Sequence, residues 1–528
     1  MTATGLILLP LTAFLLFGPW RWLIVFLTIT SGVFADAAAV NFSSFGVQPG
    51  YCVLLVVVAR AGAEMVLRRE PIRRDILAVF FPLLILIAAA LVALFIGSSF
   101  YDGDILVQSS RDGIGTSGTL FHFRLENYAQ NLYIFADTLG ALCIAHKLSR
   151  MPLSEAQRVV NEALYGFILV GSATVTWQWL HFTTGMFFPA ESFFHDNLAY
   201  AQAYGQTFAN GYRLSGAFAE PSALAYYFAG CLLFSYRQYE AEKSNIALVG
   251  LILSLFLLIV STSTSAYVVV AFFCACAAYR QRAVFGGLII SGVTSLKARP
   301  LHLIVFVVVG AAALTLLARY RDAVLFVVRE FIIEKPNTGS LAERSAADLM
   351  AVRVTLETWG IGLGLGSHKA NTLPLTLASN VGVVGLGAFV WFVAASFKHA
   401  LRGALKEPGM GRLVLPIAWF LSGSLLLDCV MNPNFNILMF WVVIGLLVGT
   451  ASVGTHRPET SDSAVQCLRF QHAPQAVTAS GPASRARSPH AGRNSDEGRV
   501  TSNAPLLVAA RRPTRATKAP MLCRIAGS

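Results

Sequence analysis

Long apolar runs separated by short charged clusters dominate residues 1–452. A helix of about 20 apolar residues crosses a hydrocarbon core of roughly 30 Å, so runs close to that length predict transmembrane helices. The predicted helices lie near residues 22–40, 51–67, 75–97, 126–146, 159–181, 222–240, 245–261, 265–280, 300–318, 374–397, 412–430 and 435–452. A shorter run at 5–18 has no preceding Lys or Arg and no cleavage site after it, so we interpret it as a short first span or half-span rather than a signal peptide.

The composition agrees with this pattern. Apolar residues make up 55% of the 528 residues and charged residues only 13%, which is too little charge for a soluble enzyme. We therefore predict an all-α polytopic membrane protein with 12 or 13 helices and a single transmembrane domain over 1–452. The eight cysteines form neither a disulfide framework nor a zinc-binding spacing, and we expect no metal and no cofactor.

Basic residues cluster in alternate short loops, which indicates that these loops face the cytoplasm. Loops of this parity contain 17 Lys and Arg residues. The three long loops, 98–125, 182–221 and 319–373, have the opposite parity and are placed in the periplasm. Because long connections usually carry function, we expect the chemistry of the protein in these loops.

The net charge of +12 is concentrated at the end of the chain, where residues 453–528 contribute +7. This segment is rich in Ser, Arg, Ala and Pro and has no sustained hydrophobic period, so we predict a disordered basic tail on the cytoplasmic side. Its charge suits anionic membrane lipids. It lacks the aromatic residues or motifs that would indicate nucleic-acid binding.

The loop 319–373 departs from the charge rule, because it is predicted to be periplasmic and yet holds seven basic residues. One interpretation is a solvated loop in which neighbouring acidic residues offset the positive charge. The other is a site for an anionic ligand, such as a lipid-linked pyrophosphate at the membrane surface.

Two loop segments carry distinctive residue patterns. In the second long loop, Arg213 is followed by Gly216-Ala217-Phe218-Ala219-Glu220-Pro221. Pro221 suits a first helical turn and Glu220 suits its positive end, which is a sufficient structural explanation.

In the third loop, Glu343-Arg344-Ser345 precedes Gly362-Leu363-Gly364-Leu365-Gly366-Ser367-His368-Lys369. These glycines lack the strand-turn-helix context of a dinucleotide site and indicate a closely packed, sharply turning backbone.

Together these segments resemble the bacterial O-antigen and exopolysaccharide polymerase family, which is related to the O-antigen ligases. The resemblance is carried by Arg213, Gly216 to Pro221, Ser261 to Ser265, Glu343 to Ser345 and Gly362 to Ser367. It implies a multi-pass protein of the bacterial inner membrane with the lipid-sugar glycosyltransferase (GT-C type) fold. The implied reaction is a metal-independent, inverting glycosyl transfer that joins polyprenyl-diphosphate-linked oligosaccharides. A flippase and a chain-length regulator usually accompany this family.

Such a transfer needs cations for the departing pyrophosphate and a base for the acceptor hydroxyl. We expect Arg213, Arg344 and Lys369 to bind the pyrophosphate, because guanidinium and ammonium groups suit phosphate oxygens. Glu220 and His368 are the candidate bases, although a single loop histidine is often an incidental surface residue. In the O-antigen ligases a catalytic-type histidine precedes a helix glycine by about eleven residues, and eleven residues before Gly382 the sequence has Asn371. His368 lies about one turn earlier, which favours a polymerase over a ligase.

Two further questions remain open in the sequence. Arg60 and Glu64 are four residues apart within one span and can form a structural ion pair. A transporter or flippase for a lipid or sugar is the alternative from a different functional class. That alternative predicts inverted repeats and paired broken helices, and the sequence shows no internal repeat.

Overall fold

The structure is a computed structural model that describes residues 1–42, 45–108, 118–197, 207–208, 211–290, 339–406, 408–430 and 437–454. The helices are α1 Ala3–Leu16, α2 Trp20–Val33, α3 Pro49–Arg68, α4 Arg74–Phe100, α5 Leu125–Leu148, α6 Leu153–Thr184, α7 Pro221–Glu242, α8 Asn245–Val260, α9 Thr264–Ile290, α10 Gly339–Glu357, α11 Leu373–Lys406, α12 Pro408–Val430 and α13 Leu438–Ala451. A π-helical turn covers Ala190–Phe194.

Three short antiparallel hairpins lie in the connections between helices. They pair β1 Val40–Phe42 with β2 Phe45–Val47, β3 Leu106–Val107 with β4 Thr119–Leu120, and β5 Thr207–Phe208 with β6 Gly211–Tyr212. The described part of the chain is otherwise predominantly helical. The predicted span 300–318 and the predicted tail beyond residue 454 lie outside the described residues.

The lengths and composition of the helices agree with the predicted all-α polytopic membrane protein. Five helices are long and apolar enough to cross a membrane, and five shorter helices are also apolar. The long helices are Pro49–Arg68, Arg74–Phe100, Leu153–Thr184, Leu373–Lys406 and Gly409–Cys429.

The first predicted run forms a separate helix. The α1 helix has 14 residues, which at 1.5 Å per residue span about 21 Å. This length is less than a hydrocarbon core of about 30 Å. The helix nevertheless extends along α3, because Thr2 contacts Ala39 in the connection before α3 at 3.3 Å and the Gly18 carbonyl accepts a hydrogen bond from Arg60 near the end of α3 at 2.6 Å. Whether the segment is a full span or a half-span stays open.

One end of the bundle is rich in basic residues and is tied together around Glu64. Arg60 pairs with Glu64 at 3.3 Å, as predicted, and Lys147 also binds this carboxylate at 2.5 Å. The indole N–H of Trp20 donates to it at 2.8 Å. Helices α2, α3 and α5 are therefore joined at this end, which we call the basic end.

The described parts of the long loops lie at the opposite end, which we call the loop end. Thr2 donates a hydrogen bond to the carbonyl of Ala39 at 3.3 Å, and Asn41 donates to the carbonyl of Asp196 at 2.7 Å. Helix α4 leaves the basic end at Arg74 and α5 returns to it at Lys147, so the loop between them also lies at the loop end. Helices α3, α4 and α5 thus alternate in direction between the two ends, and the side of the membrane that each end faces stays a prediction.

Candidate functional site

The Glu-Pro segment forms the start of α7. Pro221 is the first residue of the helix, and Glu220 precedes it in an extended conformation with φ −152° and ψ 162°. The Glu220 carboxylate makes no capping hydrogen bond to the helix backbone, and it accepts one from the hydroxyl of Ser222. Glu220 is half-buried. Pro221 therefore begins the helix as expected, whereas the carboxylate is not used as a backbone cap.

A turn at Gly216 holds this segment against α6. The side-chain oxygen of Gln178 accepts hydrogen bonds from the backbone N–H groups of Ser215 at 2.8 Å and Gly216 at 2.7 Å. Gly216 has φ +63°, and a Cβ there would lie 2.7 Å from a methyl group of Val175. Only glycine fits this turn without strain. The turn fixes the backbone that leads to Glu220.

Asp36 lies beside Glu220 and was not anticipated from the sequence. Its carboxylate accepts a hydrogen bond from the N–H of Ala219 at 2.8 Å. Burial raises the pKa of Asp36 to about 6, and the nearby negative charge of Glu220 adds to this rise. The available signal was a carboxylate near the end of the predicted span 22–40, because a charge in an apolar run is a functional candidate.

Arg213 is held at the break between α8 and α9. Its guanidinium group donates to the Thr262 hydroxyl at 3.1 Å and to the Thr262 carbonyl at 3.2 Å. Burial lowers the pKa of Arg213, and the adjacent charge of Glu220 opposes this shift. A guanidinium group remains protonated under these conditions. The guanidinium group of Arg213 thus lies near the Glu220 carboxylate, and the Ser-Thr-rich break at 261–265 helps to position this cation.

The glycine-rich segment of the third loop packs on the start of α11. The side chain of Asn380 accepts from the N–H groups of Ser367 at 3.0 Å and His368 at 3.2 Å, and it donates to the carbonyl of His368 at 2.7 Å. Gly382 interrupts α11 with φ 72° and ψ 179°. The expected close packing and sharp turning of this segment are both present.

His368 is buried between backbone groups. Its Nδ1 accepts from the N–H of Gln108 at 3.1 Å, and its Nε2 lies 3.2 Å from the carbonyl oxygen of Ala347. This arrangement fits a neutral ring that donates through Nε2. Burial lowers the pKa of His368 to about 4. Its role as a base stays a prediction, and the contacts fit a structural bridge between the first and third long loops better.

The two other predicted cations are Lys369, which follows His368 in the sequence, and Arg344 on α10. Arg344 is half-buried on α10, one helical turn before Ala347, and the side chain of Lys369 is exposed. The backbone N–H of Lys369 donates to the carbonyl of Gln108 at 2.9 Å. The structure therefore places Arg213 near Glu220, and it places His368 and the backbone of Lys369 against Gln108 in the first long loop.

Within the described ranges, no three His, Cys, Asp or Glu side chains are close enough together to hold a metal ion. The chain matches no protein-family model and no curated protein.

Proposed function

We propose that the protein is an inner-membrane glycosyltransferase that polymerises polyprenyl-diphosphate-linked oligosaccharide repeat units into exopolysaccharide or O-antigen. In this proposal the fold is of the GT-C type and the loop end faces the periplasm. The observation that carries the proposal is that Arg213, held by Thr262, lies near a half-buried Glu220 whose carboxylate does not cap α7. This arrangement supplies one cation and one base at a membrane surface.

In the proposed reaction, the Glu220 carboxylate takes the proton of an acceptor hydroxyl on one lipid-linked unit. The hydroxyl oxygen then bonds to the anomeric carbon of the donor glycan with inversion. The bond from that carbon to the diphosphate oxygen breaks, and polyprenyl diphosphate leaves with the electron pair. General-base catalysis of this kind contributes about 100-fold to 10,000-fold.

The positive charges at the loop end are assigned to the leaving group. The Arg213 guanidinium group is fixed by Thr262 on one side and can stabilise the charge that develops on the diphosphate. Arg344 and the exposed Lys369 are proposed to bind the same diphosphate during entry or release. Asp36, with its raised pKa, is proposed to share the transferred proton with Glu220.

The direct experiment supplies a polyprenyl-diphosphate-linked repeat unit to the purified protein and measures the length of the glycan by gel electrophoresis and mass spectrometry. Extended chains with wild type, and none with Glu220→Gln, are expected. Glu191→Gln is the matched control, because Glu191 is an exposed carboxylate in the same loop. Transfer to a different acceptor without extension would indicate a ligase, and uptake of unmodified substrate into vesicles would indicate a transporter.

A further inference from the structure

A groove lies between α4 and α11 at the basic end, which is the opposite end of the bundle from the proposed active site. Its cavity has a volume of about 400 Å³ and is lined by Asp75, Ala78, Val79, Trp391, Ala394, Ala395, Lys398, His399 and Arg402. The alanine and valine side chains form an apolar slot, and Lys398 and Arg402 lie at its opening. The basic end is identified here by Arg73, which donates to the carbonyl of Ser452 at 2.6 Å.

The cations of this groove have no acidic partner in the described part of the chain. Lys398 and Arg402 are both exposed, and they lie one turn apart on α11. The one carboxylate in the groove, Asp75, is bound by Arg73 through contacts of 3.0 and 2.6 Å. Its charge is therefore already compensated, and the mouth of the groove is positively charged.

The upper wall of the groove is apolar and exposed. Trp391 is 52% exposed and packs edge-to-face against Phe81, which is 51% exposed, with ring centroids 6.1 Å apart. Exposed apolar side chains on helices of this hydropathy face acyl chains rather than water. An occupant must therefore combine an anionic head with a long apolar tail.

We infer that this groove binds an anionic phospholipid, with the phosphate held by Lys398 and Arg402 and an acyl chain lying along Ala394 and Trp391. Basic pockets between transmembrane helices recognise anionic headgroups in this way. The site is independent of the proposed transferase activity. The bound lipid would contact both α4 and α11, and α11 also carries Asn380 at the loop end.

The test measures retention of added lipid by the delipidated full-length protein, using native mass spectrometry in detergent. Phosphatidylglycerol should remain bound to wild type, and phosphatidylcholine should not. Lys398→Gln together with Arg402→Gln should weaken phosphatidylglycerol binding by about 30-fold. Each basic residue near a membrane surface raises the affinity for an anionic lipid roughly fivefold.

The control variant is Arg68→Gln together with Arg69→Gln, which removes two exposed basic residues outside the groove. It should change binding by no more than about twofold on the same scale. Equal retention of both lipids, or equal weakening by both double variants, would overturn the inference.

A third variant separates the lipid from a simple anion and remains informative if the double variant misfolds. Ala394→Phe fills the apolar slot and keeps both cations, so it should also lose phosphatidylglycerol. Inorganic phosphate should fail to displace the lipid from wild type. Unchanged lipid binding by Ala394→Phe, or displacement by inorganic phosphate, would show an anion site without a lipid slot and would contradict the inference.

Discussion

Glu220 stands close enough to Arg213 for its negative charge to favour the protonated guanidinium group. The two residues are separated by a glycine turn that α6 holds in place. The proposed base and the proposed phosphate-binding cation are thus positioned by the same short segment. Five consequences of this arrangement, of the neighbouring loop and of the break in α11 can be measured.

The Glu220→Gln variant should lose at least about 100-fold in polymer formation, because it removes the proposed base. Its thermal stability should remain close to that of wild type, since the carboxylate makes no capping bond to α7. The measurements are glycan extension per folded protein and the melting temperature in detergent. A variant that melts early and retains its specific activity would show that Glu220 is structural, and Glu191→Gln should match wild type in both assays.

The Arg213→Lys variant keeps the positive charge and loses the planar group that contacts Thr262. Polymer formation should fall by about 100-fold, as when one stabilising donor is removed from an active site. Arg353→Lys is the control, because Arg353 is exposed and pairs with Glu357 at 2.6 Å. Arg344→Lys tests the second proposed phosphate ligand in the same assay. Full activity of Arg213→Lys would remove this residue from the phosphate role.

Asp36 should make the stability of the protein depend on pH. Its pKa is raised from 3.8 to about 6, so the folded state favours the protonated form. The contribution of Asp36 to the free energy of unfolding is therefore fully present below pH 3.8 and is lost as the pH rises through about 6. A shift of this size corresponds to about 3 kcal/mol.

The Asp36→Asn variant tests this dependence because it removes the titrating group and keeps an acceptor for Ala219. The stability of wild type relative to the variant should decrease by about 3 kcal/mol from about pH 4 to about pH 7, measured by unfolding at each pH. Asp104→Asn, at an exposed position, should show no such trend. A pH-independent difference for Asp36→Asn would contradict the raised pKa.

His368→Ala should destabilise the protein by about 2–4 kcal/mol, because it removes a buried ring that bridges two backbone groups. The fraction that folds should retain glycan extension. Unfolding and activity of the folded fraction are measured together, with the exposed His122→Ala as control. A stable but inactive His368→Ala protein would instead support His368 as the base.

The break in α11 should tolerate no side chain. A Cβ at Gly382 would lie 2.3 Å from the carbonyl oxygen of Gly360, and its φ of +72° disfavours any other residue. Gly382→Ala should therefore cost about 3 kcal/mol or more. Gly387 lies in the same helix with open space around it, and Gly387→Ala should stabilise by up to about 1 kcal/mol. Equal melting temperatures for the two variants would disprove the proposed strain.

The helices could be predicted from the sequence more completely than the site. The run 126–146 became Leu125–Leu148 and 222–240 became Pro221–Glu242, because apolar length and flanking charge determine such helices. The predicted span 22–40 was too long, since α2 ends at Val33. Apart from Asp36, residues 34–39 are apolar, and most of them are buried in a connection. Composition alone does not distinguish such a connection from a helix.

The glycine-rich turn and the helix break were also predictable, because Gly and Ser-Thr patterns reflect local backbone geometry. The pairing of Asp36 with the Glu220 segment was not, because it joins residues 183 positions apart. The bridging role of His368 depends on carbonyl and N–H groups of two other segments, which no local pattern encodes.

The hydrogen bond from Ala219 to Asp36 can form only late in biosynthesis. Residue 36 leaves the ribosome long before residue 219, and at roughly 5–20 residues per second the interval is about 10–40 s. During that interval the early helices present a carboxyl group whose partner has not yet been made. Nascent chains stopped before Ala219 should therefore be the ones that quality-control proteases degrade, whereas those stopped after α7 should persist.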